Sequence, residues 1–135
     1  MIDKKLFYID GKWVSPTEAR NYKVIDPSNE EPCAEISLGG KKDIDKAVTA
    51  AKKAFSTWAF SKKEERLELL EKLYVIYKKR WAEMAKLITL EMGAPMKFST
   101  EMQAATGASH IKSFKNILKD FKFEKDLGEE KNNQK

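Results

Sequence analysis

Asp43-Ile44-Asp45-Lys46-Ala47-Val48-Thr49-Ala50-Ala51-Lys52-Lys53-Ala54-Phe55-Ser56-Thr57-Trp58, residues 43–58, is where the chain changes its period. Ile44, Val48, Ala51 and Phe55 recur at spacings of four, three and four, which puts them on one face of an α-helix. Upstream the apolar runs are short and bounded by turn residues, as strands are. Downstream the helical period continues. The division predicts a mostly α-helical chain, with helices over about 42–57, 61–92 and 99–121, preceded by short β segments within 6–38.

Working back towards the N-terminus, Gly39-Gly40 closes the run Cys33-Ala34-Glu35-Ile36-Ser37-Leu38. Before it, Tyr22-Lys23-Val24-Ile25 ends at Asp26-Pro27-Ser28-Asn29, where proline withholds a ladder hydrogen bond and its neighbours favour a turn. Residues 6–14, Leu-Phe-Tyr-Ile-Asp-Gly-Lys-Trp-Val, place two β-prone runs on either side of Asp10-Gly11. Those two residues tolerate the positive φ of a tight hairpin turn.

Working forward, Ser61-Lys62-Lys63-Glu64 has the form of a capping box and predicts a helix start. The apolar line Leu67, Leu70, Leu73, Tyr74, Tyr77, Trp81, Met84, Leu87, Ile88 and Leu90 runs to Gly93-Ala94-Pro95, with room for a kink or break near Lys79-Arg80-Trp81. Ser99 is placed to cap a last helix whose apolar positions are Ala105, Ala108, Ile111, Phe114, Leu118 and Phe121. Residues 1–123 therefore form the structured unit, and residues 124–135, charged and poor in apolar side chains, read as a fraying tail.

Composition narrows the function classes. With 41% hydrophobic residues among 135, the chain has material for a core. Its 26 Lys+Arg are interleaved with 21 Asp+Glu, so the net +5 makes no single basic field. Lys78-Lys79-Arg80-Trp81 is a short basic run with an aromatic, but Trp81 falls on the apolar face and Glu68 is spaced to pair with Lys72, so no nucleic-acid partner is expected. No window approaches the roughly 20 apolar residues of a membrane span, and the start lacks a secretory core. A cytoplasmic protein with no membrane partner is the expectation.

Cys33 is the single cysteine and His110 the single histidine, so neither a disulfide within the chain nor a cysteine-rich zinc site can form. Glu30, Glu31 and Glu35 surround Cys33 in sequence and disfavour a thiolate, which makes it a structural cysteine and not a nucleophile.

Five segments in order, 7–14, 24–31, 43–58, 64–70 and 87–95, together resemble the opening of the aldehyde dehydrogenase superfamily, and the likeness continues more loosely to about residue 125. The resemblance implies an α/β class with a Rossmann-type cofactor domain, NAD or NADP as cofactor, and oxidation of an aldehyde to a carboxylic acid. It also implies that this stretch is an N-terminal segment without the central parallel sheet, the glycine-rich cofactor turn, the general base or the nucleophilic cysteine. No catalytic or cofactor-binding residue is then expected within it, and no turnover by it alone. The lost steps are thiolate attack, oxyanion stabilisation and hydride transfer.

Two sites come from the resemblance alone. Some members bind a monovalent cation through backbone carbonyls after the second strand and a carboxylate at the end of the long helix, which here match Val24, Ile25 and Glu91. Oxygen donors suit such a hard ion, although a plain strand end and a solvated glutamate explain the same residues. The last helix resembles one lining the substrate tunnel, with Thr106 and His110 near the lining positions. Small residues there equally serve close helix packing, and His110 is assigned no catalytic role. The implied partners are a separately encoded C-terminal dehydrogenase chain or a further copy of this one. The rival function is a stand-alone helical binding module that reuses the same opening segment.

Overall fold

A computed structural model describes residues 1–128 of the chain. Five strands precede the helices: β1 (Ile2–Lys4), β2 (Phe7–Ile9), β3 (Lys12–Val14), β4 (Arg20–Asp26) and β5 (Glu31–Leu38). β2 and β3 form the expected antiparallel hairpin, with Asp10 and Gly11 at φ 52° and 76°, the left-handed pair that a tight primed turn requires. β4 and β5 pair antiparallel across the turn at residues 26–30, where Glu30 N–H donates to the Asp26 carbonyl at 2.8 Å.

β1 lies outside the predicted span of 6–38. It adds in parallel to β5, which becomes the middle strand in the order β1-β5-β4. Three residues carry too little pattern to be read locally. The Lys5 ammonium, 2.5 Å from Glu35 of β5, helps hold the pairing.

Four α-helices and a π turn follow, with a short helical lead-in. α1 (Lys41–Trp58) starts at Gly40, and Asp43 in its first turn accepts the Gly40 N–H at 3.0 Å, supplying the carboxylate that a helix N-terminus favours. α2 (Lys63–Lys79) and α3 (Trp81–Met92) replace the single predicted helix 61–92, with the break at Arg80 (φ −99°, ψ 11°). α3 ends at Gly93 in the left-handed conformation, φ 69°.

The capping box at Ser61 does not form. Lys62 takes the N-cap position, and the Ser61 hydroxyl instead accepts from Arg66 Nε at 2.7 Å and donates to the Trp58 carbonyl at 2.7 Å. Arg66 also donates to the Trp58 and Ala59 carbonyls at 3.2 and 3.1 Å, so one guanidinium satisfies the end of α1 that a cap would have left open.

Ser99 caps nothing either. Helical backbone begins earlier, at α4 (Met96–Phe98) after Pro95, passes through a π-helical turn at Ser99–Gln103 and continues as α5 (Ala104–Asp120). Ser99 is fully buried inside that run. Residues 121–128 carry no helix or strand, and the remainder of the tail, 129–135, lies outside the described residues.

The buried apolar side chains among the described residues are small: Ala85 of α3, and Ala104 and Ala108 further along the chain. Around them Leu70, Tyr74, Tyr77, Trp81 and Ile88 are half-buried. The apolar line that defined α1 faces outward, with Ile44 at 60% exposure and Phe55 at 67%. Helices fold this way when their hydrophobic stripe is directed at something other than their own neighbours.

Candidate functional site

Four groups of residues bear on function. At the end of β4, the ladder with β5 shifts register between Val24 and Ile25, a bulge that frees backbone groups from regular pairing. The Cys33 thiol donates to the Val24 carbonyl at 3.4 Å. Cys33 is thus half-buried and hydrogen-bonded to its neighbouring strand, in the position of a packing residue. α3 packs against β4 here, and a side chain on Gly93 would come 2.8 Å from Pro27 Cγ.

The expected cation donors divide accordingly. The Val24 carbonyl already accepts the thiol, Ile25 sits at the bulge, and Glu91 is exposed on the last turn of α3. Their chemistry, carbonyl oxygens and one carboxylate, fits a monovalent cation. Among the described residues no three His, Cys, Asp or Glu side chains converge as metal ligands.

Thr106 and His110 lie four residues apart on the exposed side of α5. Both are solvent-facing, and the Thr106 hydroxyl bonds back to the Met102 carbonyl at 2.8 Å. Ala104 and Ala108 occupy the opposite, buried side. The small residues of this helix therefore serve close packing, while Met102, Thr106 and His110 form an outward stripe.

Sequence reasoning missed the most strongly perturbed acid. Asp43 is 5% exposed and accepts from the Thr17 hydroxyl at 2.6 Å, the Gly40 amide at 3.0 Å and the Thr17 amide at 2.8 Å. These bonds, led by the Thr17 hydroxyl, lower its pKa to about 2. An acid at the third helical position after Gly40 was the available signal; Thr17, 26 residues away, was not.

Gly39-Gly40 precede a helix, but the Asp43 carboxylate accepts the Gly40 amide and puts a fixed negative charge at that helix start. A phosphate does not fit there.

The fourth feature is apolar. Trp58, Leu69, Leu73, Phe114, Ile117 and Phe121 line an open groove of about 540 Å³ between α2 and α5. Arg66 lies at its end, 5.8 Å from the Trp58 ring centre and 5.2 Å from that of Phe123. Trp81, by contrast, is not a free aromatic surface: its indole N–H donates to the Thr100 carbonyl at 3.0 Å and its ring meets Tyr77 edge-on. No helix among the described residues is long and apolar enough to cross a membrane.

Comparison with known proteins places these features in context. The model of the aldehyde dehydrogenase family matches residues 13–134. A 3-succinoylsemialdehyde-pyridine dehydrogenase from a Pseudomonas species is 43% identical over 129 residues, covering 95% of this chain and 27% of its own length. The crystal structure of an aldehyde dehydrogenase from Bartonella henselae superposes with a TM-score of 0.92 at 50% identity, over 96% of this chain and 27% of that one. Aldehyde dehydrogenase C of Pseudomonas syringae, solved with NAD+ and octanal, gives 0.89 at 32% identity over 92% and 26%. The chain thus spans about a quarter of the length of these relatives.

Proposed function

The chain belongs to the aldehyde dehydrogenase family, and from that premise we propose that it supplies the N-terminal layer of an enzyme that oxidises an aldehyde to a carboxylic acid with NAD or NADP in the cytosol. The observation that carries this reading is the outward apolar surface of a family segment. Ile44, Val48 and Phe55 of α1 and Leu73, Phe114 and Ile117 of the groove are each at least 47% exposed. At about 25 cal/mol per Å² of apolar area removed from water, covering such side chains is strongly favourable.

The covering layer in this reading is the remainder of the dehydrogenase fold, which also carries the nucleophile, the general base and the cofactor loop. Self-association is the competing way to cover the same faces. Octanal and NAD+ in the Pseudomonas syringae relative support an aldehyde substrate and a nicotinamide cofactor. Within this layer, Thr106 and His110 supply part of the surface facing the aldehyde, and Val24, Ile25 and Glu91 a cation-binding corner. Neither group performs bond making or breaking.

The test is aldehyde-dependent reduction of NAD+ and NADP+ by the 135-residue chain, alone and mixed with a dehydrogenase polypeptide lacking the corresponding segment. No turnover alone and turnover on mixing support the proposal. Turnover by the 135 residues alone, or none on mixing despite a stable complex, defeats it.

A further inference from the structure

The π turn at Ser99–Gln103 has an identifiable cause. In an uninterrupted α-helix the Ala104 amide would donate to the carbonyl four residues back, that of Thr100. There the donor is instead the Trp81 indole N–H, at 3.0 Å. The Ala104 amide reaches one residue further, to the Ser99 carbonyl, which is the π pattern.

The two ends of the turn are anchored separately. On one side Ser99, fully buried, accepts from the Thr89 hydroxyl of α3 at 2.9 Å. On the other, Ala104 and Ala108 are buried against neighbouring helices, and the Ala104 carbonyl accepts the Tyr77 hydroxyl at 2.8 Å. One residue separates the register these anchors demand from that of a continuous α-helix. Each residue turns a helix by about 100°, so the turn decides which side chains point outward. In the plain α register, Ala105 and Ser109 would take the angular places of Thr106 and His110, and Gln103 the buried place of Ala104.

We propose that Trp81 is a positioning residue, whose indole N–H holds the π turn and thereby sets the rotation at which α5 presents Thr106 and His110. The functional consequence rests on those two residues facing a ligand; the register itself does not. π turns recur at functional sites because they redirect a helix face without breaking the helix.

The experiment uses the full 135-residue chain, isotopically labelled, and reads scalar couplings across backbone hydrogen bonds by NMR. In the native chain the Ala104 amide couples to the Ser99 carbonyl. Trp81→Phe keeps an aromatic ring and removes the donor: the coupling is expected to move to the Thr100 carbonyl, and the His110 imidazole resonances to shift with it. Exchange protection of the amides at 104–108 should fall about tenfold, the change expected for one lost net hydrogen bond.

A deletion keeps the test decisive if Trp81→Phe unfolds. Removing Glu101, exposed within the turn, takes out the additional residue, so Ala104 should still pair with Ser99, now in α geometry, with protection at 104–108 retained. Removing Lys112, exposed in the regular part of α5, puts Phe114, Ile117 and Leu118 out of register and should lower protection along the helix. An unchanged Ala104–Ser99 coupling in Trp81→Phe, or equal damage from the two deletions, overturns the proposal. Neither readout involves aldehyde, so failure of the ligand-facing reading leaves this result standing, and the reverse holds too.

Discussion

The Tyr77 hydroxyl occupies the space that a side chain on Gly107 would need. It donates to the Ala104 carbonyl at 2.8 Å, and a Cβ on Gly107 would overlap its oxygen. α2 and α5 approach this closely because one helix offers no side chain and the other offers a hydrogen bond.

Gly107→Ala should therefore destabilise by about 1–3 kcal/mol through overpacking, although alanine is the better helix former. Tyr77→Phe should cost about 1 kcal/mol for the lost hydrogen bond. Phe removes the nearest atom in the way but leaves ring Cζ 2.8 Å from the new Cβ, so the double variant should recover only part of the clash, and urea melts of the four chains measure that coupling.

Acid should act on Asp43. Its folded pKa of about 2 lies below the ordinary 3.8, so the carboxylate contributes stability that is complete above the ordinary value and lost as pH falls through about 2. Asp43→Asn should be less stable than the native chain at neutral pH, with the difference shrinking as pH drops from about 4 to about 2. Denaturant midpoints compared at pH 7, 4 and 2.5 test this; a constant gap would contradict it.

Ser61 and Arg66 should behave in the opposite order from a capping box. Arg66→Ala removes donors to Ser61, Trp58 and Ala59 and should cost about 2 kcal/mol, as charged hydrogen bonds do. Ser61→Ala should cost less than about 1 kcal/mol. Thermal melts of both variants suffice, and a larger loss from Ser61→Ala would restore the capping reading.

Gly93→Ala combines a positive φ with a clash. The left-handed conformation costs an alanine about 1–2 kcal/mol, and contact with Pro27 Cγ adds to it. Pairing it with Pro27→Ala should recover the clash and leave the backbone cost, a split that denaturant titration resolves.

These residues also show what was legible in the sequence. The hairpin at Asp10-Gly11, the helix stop at Gly93 and the start of α1 after Gly40 are local decisions, made by φ tolerance and period within a few residues. β1 and the reassignment of Ser61 and Ser99 are not local. β1 exists through pairing with β5 more than 30 residues away, Ser61 answers to Arg66, and the helix starts ahead of Ser99 because Pro95 begins it. For the candidate site, Thr106 and His110 came from the family resemblance alone, and the fold puts both on the exposed side of α5. Nothing in the sequence signalled that Trp81 would displace the Ala104 amide and set that side's direction.

The central claim is that the outward apolar faces of α1, α2 and α5 are built to lie against the rest of a dehydrogenase fold. Fluorescence of a hydrophobic dye added to the 135-residue chain during a calorimetric melt tests it most directly. The account predicts strong dye uptake by the native chain, suppressed when a dehydrogenase polypeptide lacking this segment is added. A sharp cooperative transition with no dye uptake by the chain alone would contradict it and favour a self-sufficient binding module.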